Sequence, residues 1–321
     1  CTFHRDTGRS DLIESVQAGC LGREFFENKK GETHPKKDYF EDIDNCLVCN
    51  SDQLLPLINR KGLNIVRCQN CGFGMQNPRF KEERIKDIYK ETYCMDDTYS
   101  SQHAKELDEL KFLYGIQQVR GVRPVLNSVL DIGCGQGLSL SVYKQSGIPE
   151  VMGLETGKYS EDLSSGLQII NRDFASISSD FKGLSLITLW DVLEHVHDFK
   201  SMLENMHKAL DDNGVVLIMV PNLLSLASRL IRSQSPTFAV DHINYFTDKS
   251  LARILEDVGF TVMLKETVIS EIDNCRNYLE FKEPYFSEPQ YEKAFDWLTP
   301  NYIHANMLGS RLLFVAQKNQ P

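Results

Sequence analysis

One short stretch, residues 129–137, constrains the fold of this chain more than any other. It reads Val-Leu-Asp-Ile-Gly-Cys-Gly-Gln-Gly, an apolar strand that runs directly into a turn with glycine at positions 133, 135 and 137. Because glycine has no Cβ atom, its backbone can adopt positive φ angles and lie against a ligand that a side chain would push away. The stretch therefore predicts a nucleotide-type cofactor site at the carboxyl edge of a parallel sheet.

Strand and helix signals alternate through the rest of the chain. Apolar strand candidates cover residues 129–132, 150–154, 186–190, 215–220, 261–266 and 310–316. The helix before residues 215–220 has the stripe Phe199, Leu203, Met206 and Leu210, and a turn at 211–214 is expected to end it. Another helix is expected to stop at Gly259. This alternation predicts an α/β fold with a Rossmann-like, doubly wound, mostly parallel sheet.

Four of the nine cysteines form two Cys-x-x-Cys pairs. Cys46 and Cys49 are followed after 18 residues by Cys68 and Cys71. This spacing is typical of a ribbon whose two turns bring four thiolates onto one metal ion. We expect a structural Zn²⁺ site, with iron as the other metal that four thiolates accommodate.

The same signals divide the chain. We expect a polar N-terminal segment without an assigned role (1–40), the zinc ribbon (41–78), a helical linker or lid (79–125) and the cofactor-binding domain (126–321). In the linker, Ile85, Ile88 and Tyr89 recur at helical spacing, and Tyr93 and Tyr99 lie in a break between two helices. The linker could cover the active site, or simply pack between the two domains.

Polar residues follow the predicted strands, where ligands bind in sheets of this type. Asp131 ends the first strand, and Glu155 follows the second, 18 residues past Gly137, where an acid can accept hydrogen bonds from both ribose hydroxyls. Asp173 could reach an adenine amine, with Phe174 packing on the ring. Asp191 follows the fourth strand and is expected to lie near the reacting group.

The glycine turn departs from the dinucleotide pattern G-x-G-x-x-G, because the third glycine is at 137 and not at 138. With Gly-Leu-Glu, Arg-Asp-Phe, Asp-Val-Leu-Glu-His-Val and Val-Pro-Asn further on, residues 128 to about 265 resemble the class I S-adenosylmethionine (SAM) methyltransferases. The resemblance implies that Gly133, Gly135, Glu155 and Asp173 contact SAM and that Asp191 borders it.

The four-cysteine ribbon and the segment Asp-His-Ile-Asn-Tyr-Phe at 241–246 resemble a bacterial subset of sugar and natural-product tailoring enzymes. His195 and His242 match histidines near the substrate in related sugar C-methyltransferases, which carry Glu where this chain has Asp241. From the residues themselves, either histidine could remove a proton from an acceptor, with Tyr245 orienting His242. His195 could equally be a structural residue at the start of a helix.

Composition limits the remaining alternatives. The net charge of −10 argues against a general nucleic-acid binder, and no apolar run reaches membrane-spanning length. With no signal-peptide pattern, we expect a cytoplasmic enzyme that methylates a small-molecule or carrier-linked acceptor, such as a sugar or glycan hydroxyl. Residues 46–90 carry eight basic and four acidic residues, which favours an RNA methyltransferase as the alternative. A non-catalytic zinc-ribbon scaffold is the third possibility.

Overall fold

The computed structural model describes residues 26–29, 32–60, 62–84, 102–157, 166–279 and 296–320. The chain forms two compact units, each assembled from separate stretches of sequence. Unit 1 contains Cys1–Phe80, Pro221–Asp248 and Glu266–Leu312, and unit 2 contains Lys81–Val220, Lys249–Lys265 and Leu313–Pro321. The predicted division into contiguous domains stays a prediction.

The described strands lie in both units. Their bounds are Phe26–Lys29 (β1), Glu32–Pro35 (β2), Phe40–Glu41 (β3), Leu54–Arg60 (β4), Leu63–Cys68 (β5), Gly74–Gln76 (β6), Arg79–Phe80 (β7), Ser128–Ile132 (β8), Glu150–Leu154 (β9), Ile169–Ile170 (β10), Leu184–Trp190 (β11), Leu210–Pro221 (β12), Asn244–Tyr245 (β13), Phe260–Val268 (β14) and Arg311–Lys318 (β15).

The described α-helices range from four to 21 residues in length. They are Gln102–Val122 (α1), Leu138–Gln145 (α2), Phe174–Ile177 (α3), Phe199–Ala209 (α4), Leu226–Ile231 (α5), Asp248–Val258 (α6), Ile272–Leu279 (α7) and Pro300–Ala305 (α8). The predicted end of α6 at Gly259 is confirmed, since Gly259 has a φ of 100°, which favours glycine.

The main sheet has seven strands in the order β10-β9-β8-β11-β12-β15-β14. The pairs β10–β9, β9–β8, β8–β11 and β11–β12 are parallel. Strands β8 and β11 are buried along their whole length, which requires apolar residues on both faces, as in a sheet covered by helices on both sides. The predicted doubly wound, mostly parallel α/β sheet is confirmed.

Two local predictions differ from the structure. Residues 211–214, expected as a turn, fall within β12 as an irregular segment: Leu210 pairs with Leu184, and the next pair with β11 is Val215 with Leu186. The Asp211 carboxylate there accepts from the amide of Asn213 at 3.1 Å and from both terminal nitrogens of Arg123 at 2.6 and 2.8 Å. Arg79 and Phe80, expected to begin a helix, form β7 because they pair with β3. The N-terminal segment, for which no structure was predicted, contains the β1–β2 hairpin. The helical and aromatic positions predicted between 85 and 99 lie outside the described residues.

Unit 1 contains a four-stranded antiparallel sheet in the order β13-β6-β5-β4. Strands β4 to β6 come from the predicted ribbon, but β13 comes from the segment that follows β12. A shared core joins them, formed by Leu63, Ile65, Leu223, Phe238 and Tyr245. The ribbon therefore folds together with residues from a distant part of the sequence.

In the parts of the chain that the structure describes, none of the helices is long and apolar enough to cross a membrane.

Candidate functional site: glycine turn, histidine segments and four-cysteine cluster

The glycine turn between β8 and α2 has the backbone conformation that its sequence predicts. Gly133, Gly135 and Gly137 have φ angles of 76°, 53° and 81°, the left-handed region that other residues rarely adopt. A Cβ atom on Gly133 would lie 2.6 Å from Val192 Cγ2, whereas one on Gly135 would meet no atom within 4 Å. Gly133 is thus required by packing as well as by conformation, and Gly135 opens onto free space at the carboxyl end of β8.

Glu155, directly after β9, connects the glycine turn to the next strand. Its Oε2 accepts a hydrogen bond from the backbone amide of Gly135 at 2.9 Å, and its Oε1 accepts one from Gly157 at 2.7 Å. The amide of Asn171 donates to the carbonyl oxygens of Glu155 and Gly157 and holds the backbone there. Because a carboxylate oxygen has two lone pairs, each oxygen of Glu155 can accept a further hydrogen bond from a ligand.

Asp131 lies beneath the turn and is 1% exposed. Its carboxylate accepts hydrogen bonds from the hydroxyls of Ser139 in α2 and Thr188 in β11, the latter at 2.6 Å. Burial raises the pKa of Asp131 to about 6, although these two hydrogen bonds act in the opposite direction. The structure favours a supporting role for Asp131, and its direct contact with a cofactor stays a prediction.

The hydrogen bonds at Asp131 continue towards the end of β11. Trp190 Nε1 donates to Tyr143 Oη at 2.7 Å, and Tyr143 Oη donates to Thr188 Oγ1 at 3.3 Å. Buried polar groups are almost always hydrogen-bonded, and in this series each buried side chain is hydrogen-bonded to the next. It links the start of α2 to the last residue of β11.

The residues predicted after β10 and β11 occupy different environments. Asp173 caps α3, because its Oδ1 accepts from the backbone amide of Ala175 at 3.2 Å. Phe174 is 2% exposed and its ring packs against Phe181, so the ring lies in the core of unit 2. Asp191 has a φ of 54°, uncommon for a residue other than glycine and frequent at functional sites. Contact of these three residues with the cofactor stays a prediction.

The two candidate histidines lie in different units. In unit 2, His195 ends a short 3₁₀ turn, and its Nε2 lies 3.9 Å from Oε1 of the buried Glu194, beyond hydrogen-bond distance.

In unit 1, His242 Nδ1 lies 2.8 Å from the carbonyl oxygen of Thr237. Tyr245 is buried in β13, its hydroxyl donates to the carbonyl of Ala239 at 3.4 Å, and its ring contacts the His242 ring edge-on at 6.4 Å between centroids. Burial raises the pKa of Tyr245 well above its ordinary value, so its hydroxyl stays protonated.

The four predicted metal ligands converge in unit 1. The Sγ atoms of Cys46, Cys49, Cys68 and Cys71 all lie within 4.8 Å of one another, with Cys46–Cys71 and Cys49–Cys68 each at 3.5 Å. A tetrahedral Zn²⁺ with Zn–S bonds of about 2.3 Å places its sulfurs about 3.8 Å apart, so the cluster has the right dimensions. The hydrogen bond between Cys46 and Cys71 lowers the pKa of Cys46 to about 5 and raises the pKa of Cys71, so the two sulfurs share one proton.

The two Cys-x-x-Cys turns have equivalent backbone geometry. In each, the residue after the second cysteine has a positive φ, 60° at Asn50 and 79° at Gly72. In each, its amide donates to the carbonyl of the first cysteine, at 2.9 Å to Cys46 and 3.0 Å to Cys68. Each turn thus presents two thiolates in the same geometry, and the two turns together supply the four ligands of a tetrahedral ion.

Comparison with known proteins gives the family. A family described as a methyltransferase domain matches residues 102–265, about half of the chain. The chain belongs to this methyltransferase family. Together with the doubly wound sheet and the glycine turn, this makes it a class I methyltransferase. No curated protein matches the chain.

Several solved methyltransferase structures are similar to the chain at low sequence identity. A SAM-dependent methyltransferase from Archaeoglobus fulgidus is 20% identical over 71% of this chain and 100% of its own, with a TM-score of 0.48. The 1,6-didemethyltoxoflavin-N1-methyltransferase of Burkholderia thailandensis is 16% identical over 70% and 87%, with a TM-score of 0.43. The plantazolicin methyltransferase BamL is 15% identical over 74% and 91%, with a TM-score of 0.45. Similarity at this level carries no information on the acceptor.

Sequence reasoning missed the residues that support these sites. Asn171 directly follows β10, and Thr188 is a polar residue within the otherwise mostly apolar strand β11. A polar residue inside an otherwise apolar strand is a signal, since it must find a partner when buried. Nothing in the sequence indicates the contacts that Arg60 and Gln76 make with residues 235–240.

Proposed function

We propose that this methyltransferase transfers the methyl group of SAM to a hydroxyl of a small-molecule or carrier-linked acceptor of the sugar or glycan type. The observation that carries the proposal is the glycine turn closed by Glu155, with Gly135 facing open space and a carboxylate beside it. This arrangement suits the ribose hydroxyls and the ammonium group of an amino-acid portion, because it offers a hydrogen-bond acceptor where a pyrophosphate site would need positive charge or free amides.

In this proposal the cofactor lies across the carboxyl ends of β8 to β11. The cofactor lies against the backbone of the glycine turn at Gly133, Gly135 and Gly137, and Glu155 accepts hydrogen bonds from the ribose hydroxyls. Asp173 and Phe174 border the adenine, and Asp191 lies near the sulfonium. SAM supplies an already activated methyl group. The protein therefore has mainly to position the acceptor and to remove its proton.

His242 is the group that we assign to proton removal. A carbonyl oxygen can only accept, so the 2.8 Å contact with Thr237 requires the proton of the neutral ring to lie on Nδ1. The lone pair of the ring is then on Nε2, which is the form a general base needs. His195 is the second candidate base, and Tyr245 supports His242 through ring contact.

We also propose that the four thiolates bind one structural Zn²⁺, because protein sulfurs take all four positions of a tetrahedral site. The ion would fix the ribbon and take no part in methyl transfer.

The alternative RNA substrate rests on the basic residues between positions 46 and 90, and two of them are engaged or buried within the protein. Arg60 donates to the carbonyls of Ser235 and Phe238, and Arg79 is 1% exposed. Neither is positioned as a surface phosphate contact, which favours the small-molecule acceptor.

The acceptor class can be tested with SAM that carries a trideuterated methyl group. The purified protein is incubated with a panel of nucleotide sugars and, separately, with transfer RNA and ribosomal RNA, and the products are examined by mass spectrometry. A label on a sugar hydroxyl that depends on His242 supports the proposal. A label found only on RNA selects the alternative.

A further inference from the structure

We propose that the four-cysteine ribbon fixes the conformation of the histidine loop, defined here as residues 235–247. Metal binding to the ribbon keeps this loop ordered. The inference rests on the proposed metal site, and it assigns the ribbon a role in acceptor chemistry. All the contacts involved lie within unit 1.

The first observation is that the ribbon sheet is completed by the loop. Strand β13 pairs with β6, with Asn244 opposite Met75 and Tyr245 opposite Gly74. Strand β6 in turn pairs with β5, which ends at the ligand Cys68. The loop thus occupies the edge of β6, and its backbone groups there are paired through the ribbon.

The second observation is a set of side-chain hydrogen bonds from the ribbon to loop carbonyls. Arg60, at the end of β4, donates to Ser235 at 3.3 Å and to Phe238 at 3.1 Å. Gln76, in β6, donates from its side chain to Val240 at 3.0 Å and from its backbone amide to Ile243 at 3.2 Å. These four bonds lie on both sides of His242 in the sequence, so they restrain the segment that carries it.

The third observation is that residues 72–74 of the ribbon pack closely against the end of the histidine loop. A Cβ atom on Gly74 would lie 2.9 Å from the Cβ of Tyr245 and 2.8 Å from Leu223 Cδ2. Phe73 packs edge-on against Phe246 at 5.6 Å, and a Cβ on Gly72 would lie 3.3 Å from Thr247 Oγ1. Gly72 and Phe73 directly follow the ligand Cys71, so the second cysteine turn itself contacts the end of the loop.

The fourth observation connects these contacts to His242. The Thr237 carbonyl that fixes its Nδ1 lies between the two carbonyls held by Arg60. The Thr237 side chain is also held, since Ser228 Oγ donates to its Oγ1 at 3.1 Å. Loss of the ribbon would remove the hydrogen bonds from Arg60 on either side of Thr237, and the orientation of the His242 ring would then no longer be fixed. Arg60 and Gln76 are therefore positioning residues for His242.

The physical consequence is a linked folding equilibrium. A ribbon of this size buries too little apolar surface to be stable alone, and its core includes Leu223, Phe238 and Tyr245. Metal binding to the thiolates supplies folding free energy to the ribbon. Removal of the metal should therefore expose the histidine loop while the sheet of unit 2 keeps its cofactor site.

Hydrogen–deuterium exchange followed by mass spectrometry tests this without any substrate. Full-length protein is compared with and without a chelator, and with the variants Gly74→Ala and Arg60→Met. We expect amide exchange in residues 236–246 to accelerate by about tenfold or more in all three cases, as for a locally opened segment, with peptides of β8 and β11 unchanged. Gly74→Ala and Arg60→Met should retain the metal, because neither alters a thiolate.

Two matched controls accompany the variants. Asn59→Ala changes the exposed neighbour of Arg60 in β4, and Gly121→Ala introduces a Cβ that meets nothing within 4 Å. Both should leave exchange in 236–246 as in the parent protein.

Exchange in 236–246 that is unchanged by the chelator and by both variants would overturn the inference, whatever the activity. If the chelated protein unfolds throughout, the two metal-retaining variants decide the question alone. A missing methyltransferase activity with the expected exchange pattern would instead count against the proposed function.

Discussion

Replacement of Gly135 by alanine separates cofactor contact from backbone strain. The residue has a φ of 53°, and its added Cβ would meet no protein atom within 4 Å. The cost to folding is then the left-handed conformation alone, about 1–2 kcal/mol. If SAM lies against the turn, the same methyl group points into the space that the cofactor must fill. We expect the dissociation constant for SAM to rise by about tenfold to a hundredfold, which corresponds to about 1.4–2.8 kcal/mol.

Gly147 provides a matched control, because its φ is 80° and its added Cβ also meets nothing within 4 Å. It follows the end of α2, away from the glycine turn. Gly147→Ala should therefore lower the free energy of unfolding by about the same 1–2 kcal/mol while leaving SAM affinity unchanged. Isothermal titration calorimetry measures the affinities, and urea unfolding measures the stabilities. Equal SAM affinity in the two variants would refute the assignment of the turn as the cofactor site.

Three further predictions follow from individual sites. Burial raises the pKa of Asp131 from an ordinary 3.8 to about 6, so ionisation of this carboxyl destabilises the fold by about 3 kcal/mol in total as pH rises from about 4 to about 6. Across this range, urea unfolding should show a steeper fall in the free energy of unfolding for the parent protein than for Asp131→Asn, and identical slopes would contradict the prediction. Elemental analysis should find about one zinc per chain, lost in Cys68→Ser, and a metal-free protein with an intact ribbon would contradict the site. His242→Ala should lower turnover by about 10²- to 10⁴-fold with SAM affinity nearly unchanged, and unaltered turnover would leave His195 as the candidate base.

Local sequence signals predicted the elements whose cause is local. The conformation at Gly133 to Gly137 follows from a missing Cβ atom, and the end of α6 follows from Gly259 in the same way. The buried strands β8 and β11 follow from runs of mostly apolar residues. The two cysteine turns follow from ligand spacing, which fixes geometry without reference to the rest of the fold.

The features that the sequence did not predict depend on contacts between residues distant in sequence. Residues 211–214 lie within β12, between the positions that pair with β11, and Asp211 there is held by Arg123, which is 88 positions away in the sequence. The pairing of β13 with the ribbon joins residues far apart, as with Gln76 and Val240, which are 164 positions apart. No periodicity records such a contact.

The most direct test of the account is the structure of the full chain with S-adenosylhomocysteine, the demethylated cofactor. We predict that the ligand lies at the carboxyl ends of β8 and β9, with its ribose hydroxyls within hydrogen-bond distance of the Glu155 carboxylate and its amino-acid portion against Gly133 and Gly135. Electron density for the ligand at another place, or a protein that binds neither this compound nor SAM at saturating concentration, would contradict the central claim.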